Sequence, residues 1–491
     1  MQIVIHVDNL VRLNYQHIKH DSYLCDWLKD RFTYGNPTFF KLEKMGFPTK
    51  GIPKKIKSYQ LINNQIVFNR GCLRTIKTVL KKRGHVYKII DNSAIFPVET
   101  FNSKIKLRPE QVPMVNAMLK YKHGYAIARC SGGKTVMLLD AIAKAKQPAC
   151  VIVWDTNLQR QWINEATNKN LLNLKENEIG GVGGVFKKRK FGKLNICMQQ
   201  SLYKREHRLF FADRCGFVGC DEIQRGATRT YQEVLNDFYS SYRIGVSADE
   251  KRTDHKEFLI YDSFGSRPIY VMPDHVTENV KRAKVYLIKT KYENYRYEIT
   301  LRTPELLNDM AEDVERNDLI LKRAYQKIKQ GKIVLILVER KKQALILHYA
   351  LKRYCKGKLL LGNTTNKEIN NADWDYEWKD YMRSYNSLEE SDLIRKLALE
   401  KKLNYIIATQ KGNVGLSIRT LDHAIVTTPT NIKLFNQKKG RIERDYNKEL
   451  ESKFGKKQTP TIDYLWDIRV KPLKFKGTDI MNNFSNVKIL N

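Results

Sequence analysis

The segment Ala128-Arg129-Cys130-Ser131-Gly132-Gly133-Lys134-Thr135 puts two glycines directly before a lysine and a hydroxyl residue. An apolar run, Tyr125-Ala126-Ile127, precedes it, and a helical pattern, Val136-Met137-Leu138-Leu139-Asp140-Ala141-Ile142-Ala143, follows. Small residues at such a turn let backbone N–H groups close around phosphate oxygens, and the helix presents its positive end to them. There Ser131, Gly132 and Gly133 would cradle phosphate, Lys134 would reach the β- and γ-phosphates, and the Thr135 hydroxyl would hold Mg²⁺. Ala128 stands where the general pattern has its first glycine, and an ordinary strand-to-helix turn is the plain alternative. A phosphate loop also needs a carboxylate at the end of another strand. Phe217-Val218-Gly219-Cys220-Asp221-Glu222-Ile223-Gln224 supplies one, with Asp221 suited to Mg²⁺ and Glu222 suited to polarising a water as general base.

These residues need a scaffold, and the chain has the pattern for one. From about residue 101 to 275, apolar runs (Tyr125–Ala128, Cys150–Trp154, Leu194–Met198, Phe217–Cys220, Tyr242–Val246) alternate with helical stretches. The same alternation restarts over 276–491, with Ile333–Val338, Lys358–Leu361, Tyr405–Ala408, Ala424–Thr427 and Ile462–Trp466. Short apolar runs between helices predict an α/β fold with two tandem parallel-sheet domains. Residues 1–100 form a smaller, basic α+β module. Its stretch Phe32-Thr33-Tyr34-Gly35-Asn36-Pro37-Thr38-Phe39-Phe40, with Phe47 to Lys55, reads as turn-rich and strand-like rather than helical.

The 491 residues carry 88 Lys+Arg against 52 Asp+Glu, a net charge of +36. That surplus favours polyanionic partners, and with no cationic amphipathic helix in view it points to nucleic acid over lipid surfaces. The eight cysteines are scattered without a CxxC pair, which predicts reduced thiols inside a cell and no zinc site. No apolar run approaches the roughly 20 residues of a membrane span, so no membrane partner is expected. The N-terminus lacks a signal-peptide pattern, and a cytoplasmic location in a bacterium or phage-infected host follows as the expectation.

The ordered motifs resemble superfamily 2 helicases of the DEAD/DEAH-like class, from about Ile105 onward. Leu107-Arg108-Pro109-Glu110-Gln111 is similar to the adenine-reading Q motif, which implies ATP and assigns Arg108 and Gln111 to the nucleotide. Asp155-Thr156-Asn157-Leu158 with Gln161-Trp162 resembles motif Ia, and Gly180 to Gly184 with Gln200-Ser201-Leu202 occupy the places of later strand-contacting motifs. Gly245-Val246-Ser247-Ala248-Asp249 with Arg252 and Asp254 resembles motif III. Ala408-Thr409 with Gly415-Leu416-Ser417-Ile418 resembles motif V, and Gln437-Lys438-Lys439-Gly440-Arg441-Ile442-Glu443-Arg444 resembles motif VI. The resemblance implies two RecA-like domains, with Arg441 and Arg444 reaching the γ-phosphate across the interdomain cleft. It departs at Gln224 (usually His or Asp), Asp249 (usually Thr) and Lys438 (usually Arg), which puts the coupling of hydrolysis to movement in question.

Residues that grip a strand should be small or hydroxyl-bearing, which fits Gly181, Gly183, Gly184, Ser201, Thr409 and Gly412, and motif Ia adds Thr156 and Asn157. Lys187 and Lys188, in the run Lys187-Lys188-Arg189-Lys190, suit a phosphate backbone as well as a solvated turn. The N-terminal module resembles the leading domain of phage and bacterial helicases of the UvsW type, which remodel forks and junctions by branch migration. Lys54, Lys55, Lys57, Lys81, Lys82 and Arg83 are expected to face the ligand, while most of the aromatic residues build the module's core. The expected function is an ATP-dependent DNA helicase or translocase on forked, branched or partly single-stranded DNA in replication, recombination and repair, with the 3′-to-5′ polarity the resemblance implies. An RNA helicase and the motor subunit of a restriction-type complex are the alternatives. The aromatic insertion from Ala372 to Met382 reads as a locally packed excursion.

Overall fold

Strands buried on both faces must be apolar at consecutive positions rather than at alternate ones. Ala149–Val153, Leu194–Met198, Val334–Val338 and Tyr405–Thr409 are buried at every position. The computed structural model describes residues 2–129, 132–226, 228–250, 252, 254–273, 281–293, 303–362, 364–409, 418–446, 448–484 and 487–490. Met1–Thr277 form one compact unit and Glu278–Asn491 another.

In the first unit, the N-terminal module contains β1 (Ile3–Val7), β2 (Leu10–Asn14), β3 (Thr33–Gly35), β4 (Lys55–Lys57), β5 (Tyr59–Ile62), β6 (Gln65–Asn69) and β7 (Tyr87–Asp91). Five of these form a sheet in the order β5-β6-β2-β1-β7, and β3 pairs with β4 separately. β1 and β2 alternate buried and half-buried positions, as strands with one covered face do. Leu24 and Leu28 of the helix Ser22–Arg31, with Ile76 and Leu80 of the helix Leu73–Lys82, join Ile3, Ile5, Val11 and Leu13 in its core. The strand-like expectation for the aromatic stretch is corrected at Pro37–Lys44, which is a helix. Asn36 caps it by accepting from the Thr38 amide, and Pro37 supplies the fixed φ of a first helical residue. The turn signals there mark a helix start.

The module is joined to the first α/β sheet through buried polar contacts. Arg70 donates to the Ser240 and Ser241 carbonyls at 2.6 and 3.3 Å. Arg243 donates to the carbonyls of Asn9, Leu235 and Phe238 at 2.9–3.2 Å. Tyr34 stacks on Phe258 with ring centres 4.3 Å apart and donates to Asp262 at 3.0 Å. Gly71 lies so close to the helix Phe258–Phe264 that a Cβ would sit 2.5 Å from the Tyr261 and Asp262 carbonyl oxygens.

That sheet contains β8 (His123–Ile127), β9 (Ala149–Val153), β10 (Ile179–Gly183), β11 (Phe186–Lys190), β12 (Leu194–Met198), β13 (Phe217–Asp221), β14 (Tyr242–Ser247) and β15 (Tyr270–Val271). Their order is β11-β10-β12-β9-β13-β14-β8-β15, parallel except for β11 at one edge. β9 and β13 are neighbours, with β14 and β8 next in line. The carboxyl ends of these central strands are therefore the place where loops meet.

The second unit carries β16 (Lys284–Lys289), β17 (Val334–Val338), β18 (Gly357–Leu360), β19 (Tyr405–Thr409), β20 (His423–Val426), β21 (Thr461–Trp466) and β22 (Val487–Leu490). They pair parallel in the order β18-β19-β17-β20-β21-β16-β22. Arg316 and Asp467 make a buried ion pair at 2.9 Å in this unit. The aromatic insertion is a packed excursion: Trp374, Trp378, Met382 and Tyr385 join the core cluster, and the Tyr385 hydroxyl accepts from the Leu361 amide at 2.7 Å. Among the described residues no helix is long and apolar enough to cross a membrane.

Candidate active site

The helix Lys134–Ala145 starts immediately after Gly133, whose φ of +85° is in the left-handed region. A side chain there would also put a Cβ 2.3 Å from Gln111 Nε2, so both backbone and space require glycine. Gln111 is buried, and its Nε2 donates to the Gly132 carbonyl at 2.9 Å while its Oε1 accepts from the Arg108 amide at 3.0 Å. Arg108 Nη2 donates to the same Gly132 carbonyl at 2.9 Å. Arg108 and Gln111 thus clamp the glycine turn at the Gly132 carbonyl. Ser131 lies outside the described residues.

Lys134 Nζ stands 3.5 Å from Glu222 Oε1 and 3.4 Å from the Ala128 carbonyl it donates to. Asp221 ends β13, and Glu222 follows with φ +52°, a left-handed position that costs a non-glycine residue about 1–2 kcal/mol. Such strain persists where the surroundings hold a side chain in one orientation. Asp221 is 4 % exposed; Trp162 Nε1 donates to its Oδ2 at 3.0 Å and the Glu222 amide to its Oδ1 at 2.9 Å. Burial, then the neighbouring Glu222 carboxylate, push the Asp221 carboxyl up to about 6, against the opposing pull of Lys134 and Trp162. A carboxyl pair held in that state favours a nearby cation. Asp221 and the buried Thr135 hydroxyl form an oxygen-only donor set of the kind Mg²⁺ takes while keeping waters and phosphate oxygens, so these residues fit that ion.

Gln224, where the resembled family usually has His or Asp, joins the Asp221-Glu222 segment to the segment that resembles motif III. Its Nε2 donates to Glu222 Oε2 and its Oε1 accepts from the Ser247 hydroxyl. Arg252 donates to the Gln224 carbonyl and pairs with Asp254 at 2.8 Å. Ser247 accepts from the Asp249 amide at 3.1 Å, so Asp249 takes part through its backbone.

Thr156 and Asn157 open the helix Thr156–Thr167 just after β9, with Asp155 capping it by accepting from Leu158 N at 2.9 Å. Gly183 and Gly184 form the turn after β10, at φ +73° and +61°, and a Cβ on Gly183 would sit 2.0 Å from Ser201 Oγ. Gln159 holds this group together, donating to the Gly183 and Ile196 carbonyls at 3.1 and 2.8 Å and accepting from Val185 N at 2.9 Å. Gly181 is buried within β10, where a Cβ would lie 2.2 Å from the Ile196 carbonyl oxygen. Lys187 and Lys188 are exposed on the edge strand β11. Lys54 and Lys55 are exposed beside β4, with Lys54 Nζ 5.9 and 5.8 Å from the Phe39 and Phe40 ring centres. Arg83 is paired: Asp21 takes its guanidinium in two hydrogen bonds of 2.8 and 3.0 Å, which, with His85, hold the Asp21 carboxyl down at about 2.

In the second unit Thr409 ends β19, buried, with its Oγ1 accepting from Gly362 N at 3.3 Å. Arg441 and Arg444 are half-buried on the turn after the helix Ile432–Lys439, which Asn431 caps. Lys438 is 5 % exposed, and burial lowers its ammonium pKa to about 8. Gly412 and Gly415 lie outside the described residues. Trp162 was legible as part of a motif segment and Gln159 was not singled out; no spacing rule marks the first as a hydrogen-bond donor to Asp221 or the second as the brace of the glycine turn.

Residues 104–252 match the family described as the type III restriction enzyme, res subunit. The DNA 3′-5′ translocase XPB2 of Sulfurisphaera tokodaii is 28% identical over 233 residues, 45% of this chain and 49% of that one. The probable helicase D10 of Escherichia phage T5 is 24% identical over 340 residues, 67% of each chain. The chain thus spans about half of the translocase and two thirds of the phage protein. Among solved structures, a variant of S. cerevisiae Dbp5 bound to RNA and ADP BeF3 superposes with a TM-score of 0.51 at 14% identity, over 80% of this chain and 95% of that one, a likeness of fold. T4 UvsW aligns over 100% of this chain and 99% of its own at 15% identity, with a TM-score of 0.43. With its two parallel-sheet units and its motifs in order, the chain is similar to superfamily 2 helicases.

Proposed function

We propose that this protein is an ATP-dependent DNA helicase or translocase that acts with Mg²⁺ on forked, branched or junction DNA, moving 3′ to 5′. The observation that carries this reading is Lys134 Nζ 3.5 Å from Glu222, beside an Asp221 fixed by Trp162. Lys134 and the loop's amide groups bind the β- and γ-phosphates, and Glu222 takes a proton from the attacking water. Thr135 and Asp221 hold Mg²⁺, which when bound neutralises charge developing on the phosphate oxygens. Arg441 and Arg444 act on the γ-phosphate, and Gln224 ties the base to motif III. Thr156, Asn157, Gly183, Gly184, Ser201 and Thr409 track one strand, while residues 1–100 recognise the substrate through Lys54 and Lys55. The 3′-5′ activity named for XPB2 and the charge of +36 support DNA and the polarity. Branch migration and a part in recombination and repair follow from the resemblance of the basic module.

Phosphate release and strand separation, measured with linear, forked and four-way DNA and with single-stranded RNA, test the reading. Forked or four-way DNA should stimulate most. Lys134→Ala and Glu222→Gln should each lower turnover by about a hundredfold or more, the scale of losing one preorganised charge contact. Stimulation by RNA alone would sink the DNA assignment, and full turnover in Glu222→Gln would sink the assigned base.

A further inference from the structure

Lys457 lies outside every motif, yet its side chain reaches the centre of one. It is 2 % exposed, and its Nζ donates to the carbonyls of Arg419 at 2.7 Å, Ile442 at 2.9 Å and Arg444 at 2.6 Å. An ammonium has three N–H donors, and here each has a carbonyl. Two of those carbonyls flank Glu443 in the turn that carries Arg441 and Arg444; the third belongs to the residue just after the motif V segment.

The rest of the turn is tied down around that point. Arg419 Nη1 donates to the Asp445 carbonyl at 2.8 Å. The Glu443 carbonyl accepts from Lys281 N at 3.1 Å, and its carboxylate accepts from Ala283 N at 2.9 Å and pairs with Lys439 at 3.1 Å. Lys281 Nζ donates in turn to the Lys457 carbonyl. Burying an ammonium among neutral carbonyls costs free energy that any apolar residue of the same length would avoid. No apolar side chain, however, can satisfy three carbonyls converging on one point, and leaving them bare carries its own penalty.

We propose that Lys457 is a positioning residue for hydrolysis: its ammonium locks the Arg441–Arg444 turn to the end of the motif V segment, so that both guanidiniums are presented in one fixed arrangement. The proposal rests on the role given above to Arg441 and Arg444. A guanidinium that must stabilise charge only in the transition state loses its effect if its backbone wanders by about 1 Å, whereas nucleotide binding depends little on it. Lys457 touches no substrate and acts through the turn.

The test is a double-mutant cycle in the full-length protein, read by ATP turnover with saturating DNA, KM for ATP and thermal unfolding. Lys457→Met should lower kcat by about tenfold or more with KM changed less than about threefold, and Lys457→Arg should recover part of kcat by keeping donors in place. Arg441→Ala should lower kcat strongly, and adding Lys457→Met to it should lower kcat little further. Unchanged kcat in Lys457→Met, or the same fold-loss with and without Arg441, would overturn the proposal and leave a purely structural lysine. Unchanged kcat in Arg441→Ala would instead remove the arginine reading, and this proposal with it. If Lys457→Met fails to fold, Lys457→Gln and Lys457→Arg carry the same comparison, and equal kcat in both and in the wild type is the overturning result.

Discussion

At the scale of single residues, the departures from the family pattern are where the structure adds most. Gln224 reads as a loss because His or Asp usually stands there. In place it donates to Glu222 and accepts from Ser247, so one amide spans the proposed base and the segment that resembles motif III. Gln can do this because its amide donates at one end and accepts at the other, independent of pH. Gln224→Ala should therefore lower DNA-stimulated ATP turnover by about tenfold, the worth of one charge-assisted hydrogen bond of about 1.5 kcal/mol, with unfolding temperature nearly unchanged. Steady-state rates with and without DNA check this; equal rates in the variant and the wild type would mean that the bridge does no work. Gly133, Lys134, Asp221 and Glu222 were legible because phosphate chemistry restricts residue type and spacing so tightly. The bond from Trp162 to Asp221 and the role of Lys457 were not, since each is a contact between residues distant in sequence that any donor of similar reach could make. Gln111 is intermediate: its motif was readable, but its engagement with the Gly132 carbonyl depends on how the helix Val112–Tyr121 docks.

At the scale of elements, the expected apolar runs match strands to within a residue or two because parallel sheets need consecutive apolar positions, whereas β10, β11, β15, β16 and β22 had no expected run. Leu194–Met198 matches its expected run, and Tyr405–Thr409 extends Tyr405–Ala408 by one residue. The helix Pro37–Lys44 was missed because Asn-Pro is both a turn signal and a helix start, and none of its residues is buried to give a helical period. The run Lys187-Lys188-Arg189-Lys190 left two readings open. It forms β11, an antiparallel edge with four exposed cations, which blocks pairing with another chain and leaves a positive rim beside the glycine turn of β10. If that rim lies along a phosphate backbone, the double change Lys187→Glu, Lys188→Glu should weaken DNA binding and reduce the slope of log affinity against log salt by about 2, one for each lysine. Fluorescence anisotropy over a salt series measures it. Because both side chains are exposed, stability should stay within about 0.5 kcal/mol. An unchanged slope would assign the run to edge protection alone.

For the whole molecule, charge and domain pattern announced a basic module and two α/β domains, but not how the module is attached. Its attachment uses Asn9, Tyr34, Arg70 and Cys72 against Arg243, Asp262 and Ser240, residues that are unremarkable in sequence and whose pairing spans about 170 positions or more. Asp262 gives this junction a measurable signature. Burial pushes its carboxyl up to about 7, although Tyr34 donates to it at 3.0 Å. The folded state thus binds this proton more tightly than the unfolded chain, whose carboxyl titrates near 3.9. With more protons bound in the folded state between those values, stability falls as pH rises from about 4 to about 7, by at most about 1.4 kcal/mol per pH unit, and levels off above. Asp262→Asn keeps the shape and an acceptor for Tyr34 but has no proton to lose. Denaturant unfolding of wild type and variant at pH 5 and pH 8 should show the wild type losing more stability over that interval than the variant does. Equal losses in the two proteins would mean that Asp262 is ionised in the folded state at neutral pH, and that the module is held without a buried neutral acid.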